Sequence, residues 1–133
     1  MEKTDKHVPL IALFGESEKG EYETAYLCRS LQELSDCLGH PPPDSLGLYC
    51  AVQTLLYSYP LIFIRVRQEG YSFPDYIQGI RLLQDCEQRL HVEAICLPGV
   101  GDPRIIEMVE PFCIKHRSVL MMSERDLYDY LMQ

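Results

Sequence analysis

The chain has 133 residues, of which 47% are hydrophobic and 24% are charged, and its formal net charge is -8. This length and composition are typical of one globular domain with a buried core, so we expect a single domain over residues 1–133, with residues 1–7 as a flexible N-terminus. An acidic chain is repelled by phosphate backbones, and the twelve Lys and Arg are scattered instead of forming a stripe. The composition therefore excludes nucleic acid as a direct partner.

The uninterrupted apolar segments are too short to cross a membrane. The longest lies around Leu61 to Val66, which is the length of a strand and far below the roughly 20 residues that span a bilayer. Met1 to His7 is short, charged and polar, unlike a secretory signal. The sequence predicts a cytoplasmic protein without membrane insertion.

The first half of the chain is predicted to contain three extended segments and two helices. Ser30 and Glu33 form a capping box for the first helix, and Gly39 suits its left-handed end. Pro60 ends the second helix. The predicted elements are a buried strand Val8 to Phe14, an extended edge segment Glu23 to Leu27, a helix after Ser30, a helix from Ser45 or Leu46 to Tyr59, and a buried strand Leu61 to Val66.

Two connections in this half have special compositions. The turn Glu16 to Gly20 contains glycine and lysine but lacks the spacing of a phosphate-binding P-loop, so we interpret it as a solvated turn. The three prolines between His40 and Asp44 predict a stiff, extended connector, which could also serve as a proline-rich ligand.

The second half of the chain is predicted to alternate helices and strands. Ser72, Pro74 and Asp75 indicate a helix start, and Pro111 is expected to kink the helix that contains it. Ser123 with Asp126 is predicted to cap the last helix. The predicted elements are a helix from Ser72 to about Arg89, a strand Val92 to Leu97, a helix from Pro103 to about Arg117, a strand Ser118 to Met122, and a helix Glu124 to Met132.

This order of elements predicts the fold class. Strands separated by helices need long crossovers, and such crossovers join parallel neighbours. We therefore expect an α/β domain of three layers, with a mainly parallel sheet and helices on both faces.

The loop after the Val92 to Leu97 strand is the first candidate for a functional site, because ligands of open α/β sheets bind at the carboxyl ends of strands. Its glycines would let a phosphate approach the amides of a helix N-terminus. Against this, the loop lacks a third glycine, Asp102 adds negative charge, and Pro103 removes a donor. Helix capping by Asp102 is the favoured interpretation, and binding of a nucleotide or other anion is the alternative. The loop comprises Pro98, Gly99, Val100, Gly101 and Asp102.

No catalytic or metal-binding pattern is evident. The six cysteines, at positions 28, 37, 50, 86, 96 and 113, lie in apolar segments without a C-x-x-C pair, which predicts reduced and mainly buried thiols. The four histidines do not combine with them in the spacing of a zinc site. Arg65 interrupts a buried strand, so we expect it near an exposed end or paired with a carboxylate. We predict no enzyme activity, no metal and no cofactor.

Several short motifs, taken in order, resemble the sheath-protein family of contractile phage tails and related injection machines. They are a strand that closes in Leu13, Phe14 and Gly15; a helix opened by Ser30 that ends at Leu38 and Gly39; a strand with Ile64, Arg65 and Val66; a strand that closes in Pro98 and Gly99 with Asp102 after it; and a helix with Cys113 before a final strand. The resemblance spans about Val8 to Asp126.

The resemblance implies a non-enzymatic structural or assembly protein whose partners are protein subunits, either copies of itself or other components. Two positions depart from the family pattern, with Tyr59-Pro60 in place of Gly-Gly and Met122-Ser123 in place of an Asp-Pro type ending. The family's C-terminal domain and terminal arms have no counterpart in these residues. We therefore expect a single sheath-like domain instead of a complete sheath subunit.

The extended segment before Ser30 is the candidate interface. If it forms a sheet edge, its free N–H and C=O groups could pair with a strand of another chain. The segment comprises Glu23, Thr24, Ala25, Tyr26 and Leu27.

Overall fold

A computed structural model describes residues 9–132, within which the chain forms five strands and five helices. The predicted flexible N-terminus, residues 1–7, lies outside the described residues. In chain order the elements are β1 (Leu10–Gly15), β2 (Ala25–Cys28), α1 (Leu31–Leu38), α2 (Gly47–Leu56), β3 (Leu61–Arg65), α3 (Phe73–Cys86), β4 (Val92–Cys96), α4 (Pro103–His116), β5 (Val119–Met121) and α5 (Glu124–Leu131).

The strands form one sheet in the order β2-β3-β1-β4-β5. The pairs β1 with β3, β1 with β4, and β4 with β5 are parallel, whereas β2 runs antiparallel to β3. From β1 the chain continues to the edge strand β2, returns to β3 beside β1, and then crosses β1 to reach β4 and β5. The crevice at the carboxyl ends of β1 and β4, where the winding reverses, is the usual ligand position in such sheets.

Two separate apolar clusters cover the two faces of the sheet. Alternate strand residues such as Phe14 and Ile64 pack with α3 and α4 on one face. Their neighbours, such as Leu13 and Phe63, pack with α1 and α2 on the other. The prediction of a three-layer α/β domain with a mainly parallel sheet is therefore confirmed.

An irregularity in β4 sets which of its side chains face each core. The pairing of β1 with β4 shifts between Leu10, which pairs with Val92, and Ile11, which pairs with Ala94. Glu93 is thus an extra residue in the strand, as in a β-bulge, and its side chain is exposed. The bulge lets a charged residue lie between two buried ones without breaking either core.

Most predicted element boundaries move by a few residues in the structure. The second helix ends at Leu56, three residues before Tyr59, because Ser58 has a positive φ of 68° and the residue before Pro60 is disfavoured in helical conformation. The third helix ends at Cys86 instead of Arg89. The predicted kink at Pro111 does not interrupt α4, which continues through it from Pro103 to His116.

The predicted start of α3 is confirmed in position, since Ser72 is the N-cap residue and Pro74 lies in the first turn, but no side chain caps the helix. The Ser72 hydroxyl makes no cap hydrogen bond to the helix and instead donates to the carbonyl of Gln68 and accepts from its N–H. The Asp75 carboxylate is buried and accepts from the backbone N–H of Arg67 at 2.7 Å. It also forms an ion pair with the Arg67 guanidinium. Asp75 therefore ties α3 to the segment after β3.

The capping boxes predicted at Ser30 and Ser123 form only by half. Each serine hydroxyl accepts from the backbone N–H three residues later, at 3.1 Å from Glu33 and 3.0 Å from Asp126. The return bonds go elsewhere, because Glu33 accepts from the N–H of Arg29 and Asp126 accepts from the N–H of Gly99.

The cysteines are free in the structure, but the prediction that they are mainly buried was too strong. Cys28 and Cys113 are buried, whereas the other four are only partly covered. They lie at the margins of the two cores, where helix and strand residues are covered on one side only. Burial is the main cause that raises the pKa of Cys28 and of Cys96 to about 11.

Candidate functional site

The main cleft of the domain lies at the carboxyl end of the parallel strands and has a volume of about 820 Å³. It contains residues from the loops after β3 and β4 and from α5, together with part of the connector before α2. Its lining is rich in carboxylates and holds one arginine. The lining residues are Asp44, Leu46, Glu69, Gly70, Tyr71, Gly99, Gly101, Asp102, Pro103, Ser123, Arg125, Asp126, Tyr128, Asp129 and Met132.

Glu69 occupies the N-terminus of α2, where a bound anion would otherwise lie. Its carboxylate accepts hydrogen bonds from the backbone N–H groups of Leu46 at 2.9 Å and Gly47 at 2.8 Å. It also accepts from the N–H of Glu16 at 2.9 Å, and the Glu16 carboxylate accepts from the N–H of Glu69 in return. Since these amides and the helix dipole favour negative charge, the chain supplies its own anion here.

The loops after β3 and β4 contact each other closely beneath the cleft. A Cβ atom on Gly70 would lie 2.1 Å from the carbonyl oxygen of Gly99, so only glycine fits at position 70. Both glycines have positive φ, 86° and 78°. The buried Tyr76 hydroxyl accepts from the N–H of Gly70 at 2.8 Å, and burial raises the pKa of that phenol. The floor of the cleft is therefore rigidly packed.

The predicted loop Pro98 to Asp102 lines this cleft in part, but few of its amides are free. The N–H of Gly99 donates to the Asp126 carboxylate at 2.9 Å, and the N–H of Val100 donates to the carbonyl of Leu97. Val100 itself belongs to the buried core. Prolines contribute no donor at positions 98 and 103.

Asp102 caps α4 as predicted. Its carboxylate accepts from the backbone N–H of Arg104 at 2.9 Å and from the Arg104 guanidinium at 2.9 Å. The hydrogen bond from the Arg104 side chain is the main cause that holds the pKa of Asp102 below its ordinary value, and the bond from the Arg104 backbone acts in the same direction. The charged Asp102 carboxylate thus binds groups of its own helix N-terminus.

The arrangement of the cleft is unfavourable for a phosphate or nucleotide. The amides of Gly47, Gly99 and Arg104 already donate to carboxylates of the chain itself. Arg125 is the one Lys or Arg that lines the cleft within the described residues. Residues 9–132 also contain no group of three or more His, Cys, Asp or Glu that could hold a metal ion.

Arg65, at the end of β3, and Arg67, just after it, contact the long loop that joins β1 to β2. Arg65 donates to the carbonyls of Gly20 at 2.6 Å and Ser17 at 3.1 Å, and its guanidinium lies 4.4 Å from the Tyr22 ring centroid. Arg67 lies 4.1 Å from the same ring. Arg65 is the last residue of its strand and is partly exposed, which agrees with the predicted position near an exposed end. The hydrogen bonds described for it go to backbone carbonyls and not to a carboxylate. No sequence motif predicted these contacts between the two arginines and the loop.

The predicted interface segment lies at one edge of the sheet. Ala25, Tyr26 and Leu27 are in β2, the outermost strand, whereas Glu23 and Thr24 precede it, with Glu23 at a positive φ of 57°. Cys28 is buried and the other side chains of β2 are half-covered or, for Leu27, exposed by 37%. In the sheet, β3 and β1 lie between this segment and β4, which leads into the Pro98 to Asp102 loop.

The opposite edge is β5, which sequence reasoning did not single out. Val119 is 60% exposed and Met121 is 49% exposed, although both belong to a strand. They pair with Ala94 and Cys96 of β4, on the face covered by α1 and α2. These helices pack mainly on β1, β2 and β3, so no helix among residues 9–132 covers the outer part of this face. The uncharged run SVLMM is the sequence feature that could have indicated an exposed apolar edge strand.

No protein-family model matches this chain, and no curated protein is similar to it at a significant level. No helix among residues 9–132 is long and apolar enough to cross a membrane. The cleft and the two sheet edges are therefore the features of the described residues that bear on function.

Proposed function

We propose that this chain is a non-enzymatic assembly module, a sheath-like domain that associates with other protein subunits through the edges of its sheet. The partners are copies of the same chain or other components of a contractile tail or injection-type machine. A cytoplasmic location accords with the acidic composition and the polar residues 1–7.

The observation that carries this proposal is that both edge strands lack charged residues and prolines. Natural sheets usually protect their edges with charged residues, prolines or covering elements. Neither β2, with sequence AYLC, nor β5, with sequence VLM, contains a charge or a proline. Edge strands of this kind offer backbone donors and acceptors to a strand of a partner.

The cleft at the carboxyl ends of the strands also supports an assembly role, because its amides are not free to bind an anionic metabolite. Its carboxylates are used as internal caps, as described for Glu69 and Asp102. A nucleotide or other anion at Pro98 to Asp102, the alternative suggested by the sequence, would have to displace these carboxylates.

Affinity capture of the tagged chain from its native cell, followed by mass spectrometry, tests the proposal. We expect recovery of tail, baseplate or other assembly components. A second bait with Leu27→Lys and Val119→Lys, which places a charge on each edge, is expected to lose these partners. Glu107→Lys is the matched control, because Glu107 is exposed on α4 and belongs to neither edge strand.

Two results would contradict the proposal. One is a bait recovered alone that converts a metabolite. The other is recovery of the same partners by the edge variant and the wild-type chain, since this would show that the edges are not the contact surface.

A further inference from the structure

We infer that β5 is the site of self-association, and that two copies pair β5 with β5 in antiparallel orientation about a two-fold axis centred on Leu120. This inference rests on the proposed function, because it names the partner of one of the two edges. The resulting dimer would have a continuous sheet of ten strands, five from each copy.

The backbone of β5 presents the required groups. The N–H of Leu97 donates to the carbonyl of Met121 at 3.1 Å, so Met121 turns its polar backbone groups toward β4. Successive residues of a strand turn these groups to opposite sides, and Leu120 therefore directs its N–H and C=O to the open edge. In an antiparallel pair centred on Leu120, the two copies exchange both hydrogen bonds of this residue.

The side chains of β5 are complementary in the same register. Val119 of each copy lies opposite Met121 of the other, in the closer, non-hydrogen-bonded type of pair. Both side chains are about half exposed or more in the single chain, at 60% and 49%. Pairing joins two exposed apolar patches into one and reduces their contact with water.

The charges that flank β5 favour a second copy over an unrelated strand. Lys115 and Arg117 precede the strand and Glu124 follows it, and all three are exposed. Antiparallel pairing places Arg117 of one copy and Glu124 of the other at the same end of the strand pair, twice in the dimer. Arg125, the next residue, lines the acidic cleft instead. Parallel stacking of the same segments would bring like charges together.

The opposite edge, β2, is a weaker candidate for this contact. Its side chains are more covered than those of β5, with Leu27 as its one exposed residue at 37%. The Tyr26 hydroxyl also accepts from the N–H of Glu21 at 2.6 Å, which folds the preceding loop against this strand.

Sedimentation velocity of the full chain over a concentration series tests the inference. A three-residue strand buries less than the roughly 1,200 Å² of a standard interface, so we expect a reversible dimer that is detected at about 0.1 mM. Val119→Lys and Met121→Glu, each alone, are expected to weaken dimerisation roughly tenfold or more, since each puts an unpaired charge against an apolar partner. Leu27→Lys is the control and is expected to leave dimerisation unchanged.

The combined variant with Val119→Lys and Met121→Glu tests the register. In the proposed pairing each new lysine lies opposite a new glutamate, so dimerisation is expected to recover by at least severalfold over either single variant, and to become sensitive to salt. Circular dichroism and thermal unfolding establish that all variants are folded.

Three outcomes would overturn the inference: a wild-type chain that is monomeric up to about 1 mM, dimerisation that survives both single substitutions, or a combined variant that fails to recover. A monomeric chain that still captures assembly components from its cell would overturn self-pairing and leave the proposed function intact.

Discussion

Carboxylates of this chain bind its own backbone amides at the carboxyl edge of the sheet. Glu69, Asp102 and Asp126 each accept from at least one N–H group there. Because carboxylates are favourable at helix N-termini, these residues stabilise the fold at the place where many α/β domains bind an anionic ligand.

Replacing Asp102 tests the role of a single cap. Asp102→Ala is expected to lower the free energy of unfolding by about 0.5–2 kcal/mol, because the N–H of Arg104 loses its acceptor. Asp102→Asn is the matched control, since asparagine caps nearly as well. Urea denaturation measures both, and an alanine variant as stable as wild type would show that the cap is not used.

The same residue predicts a dependence of stability on pH. The pKa of Asp102 is lower in the folded chain than its ordinary value because of the hydrogen bonds from Arg104. Its contribution is therefore fully present above the ordinary pKa and is lost as pH falls through the folded pKa. The stability difference between wild type and Asp102→Asn should shrink below about pH 4. A constant difference from pH 7 to pH 3 would contradict this.

The cysteines give a third prediction at this scale. We expect six reduced thiols, with Cys28 and Cys96 slow to react in the native chain because burial raises the pKa of each to about 11 and the thiolate is the reactive form. Thiol titration at pH 8 should find all six in denaturant and fewer at early times in the native protein. Intramolecular disulfides after purification without oxidant would refute the expectation.

At the scale of elements, Glu69 links the loop after β3 to the start of α2 and to the end of β1. Glu69→Ala leaves three amides without their acceptor, those of Glu16, Leu46 and Gly47. We expect a loss of about 2–4 kcal/mol, reduced by water reaching the partly exposed groups. Glu69→Gln keeps one acceptor oxygen and should lose less.

Glu107→Ala serves as the control for the Glu69 variants, because Glu107 is an exposed glutamate on α4. Its effect should be within about 0.5 kcal/mol of zero. A Glu69→Ala variant that unfolds at the same denaturant concentration as this control would show that the three hydrogen bonds contribute nothing.

The sequence predicted the elements better than their ends or their contacts. Short continuous apolar runs predicted β1, β3 and β4, since these central strands are covered on both faces of the sheet. The cap at Asp102 was predictable because it is local in sequence. Glu69 accepts from the N–H of Glu16, which lies 53 positions away in the sequence. Asp75 was predicted to be part of a helix start, whereas its carboxylate pairs with Arg67. Such contacts depend on how strands are ordered in the sheet, which local pattern does not specify.

At the scale of the whole molecule, the two edges of the sheet differ from the cleft in what they offer. The cleft amides described above are satisfied by internal carboxylates, whereas β2 and β5 end the sheet with uncharged strands. Association is therefore expected at the edges, and the acidic surface keeps unrelated acidic proteins away.

Hydrogen exchange of the chain, alone and in the assembly captured from its cell, tests this account most directly, because it reports which backbone amides a partner covers. We predict slower exchange in the assembly for peptides that contain Ala25–Cys28 or Val119–Met121, with no change in the Pro98 to Asp102 loop. Protection confined to that loop and to the other residues of the cleft would contradict the account.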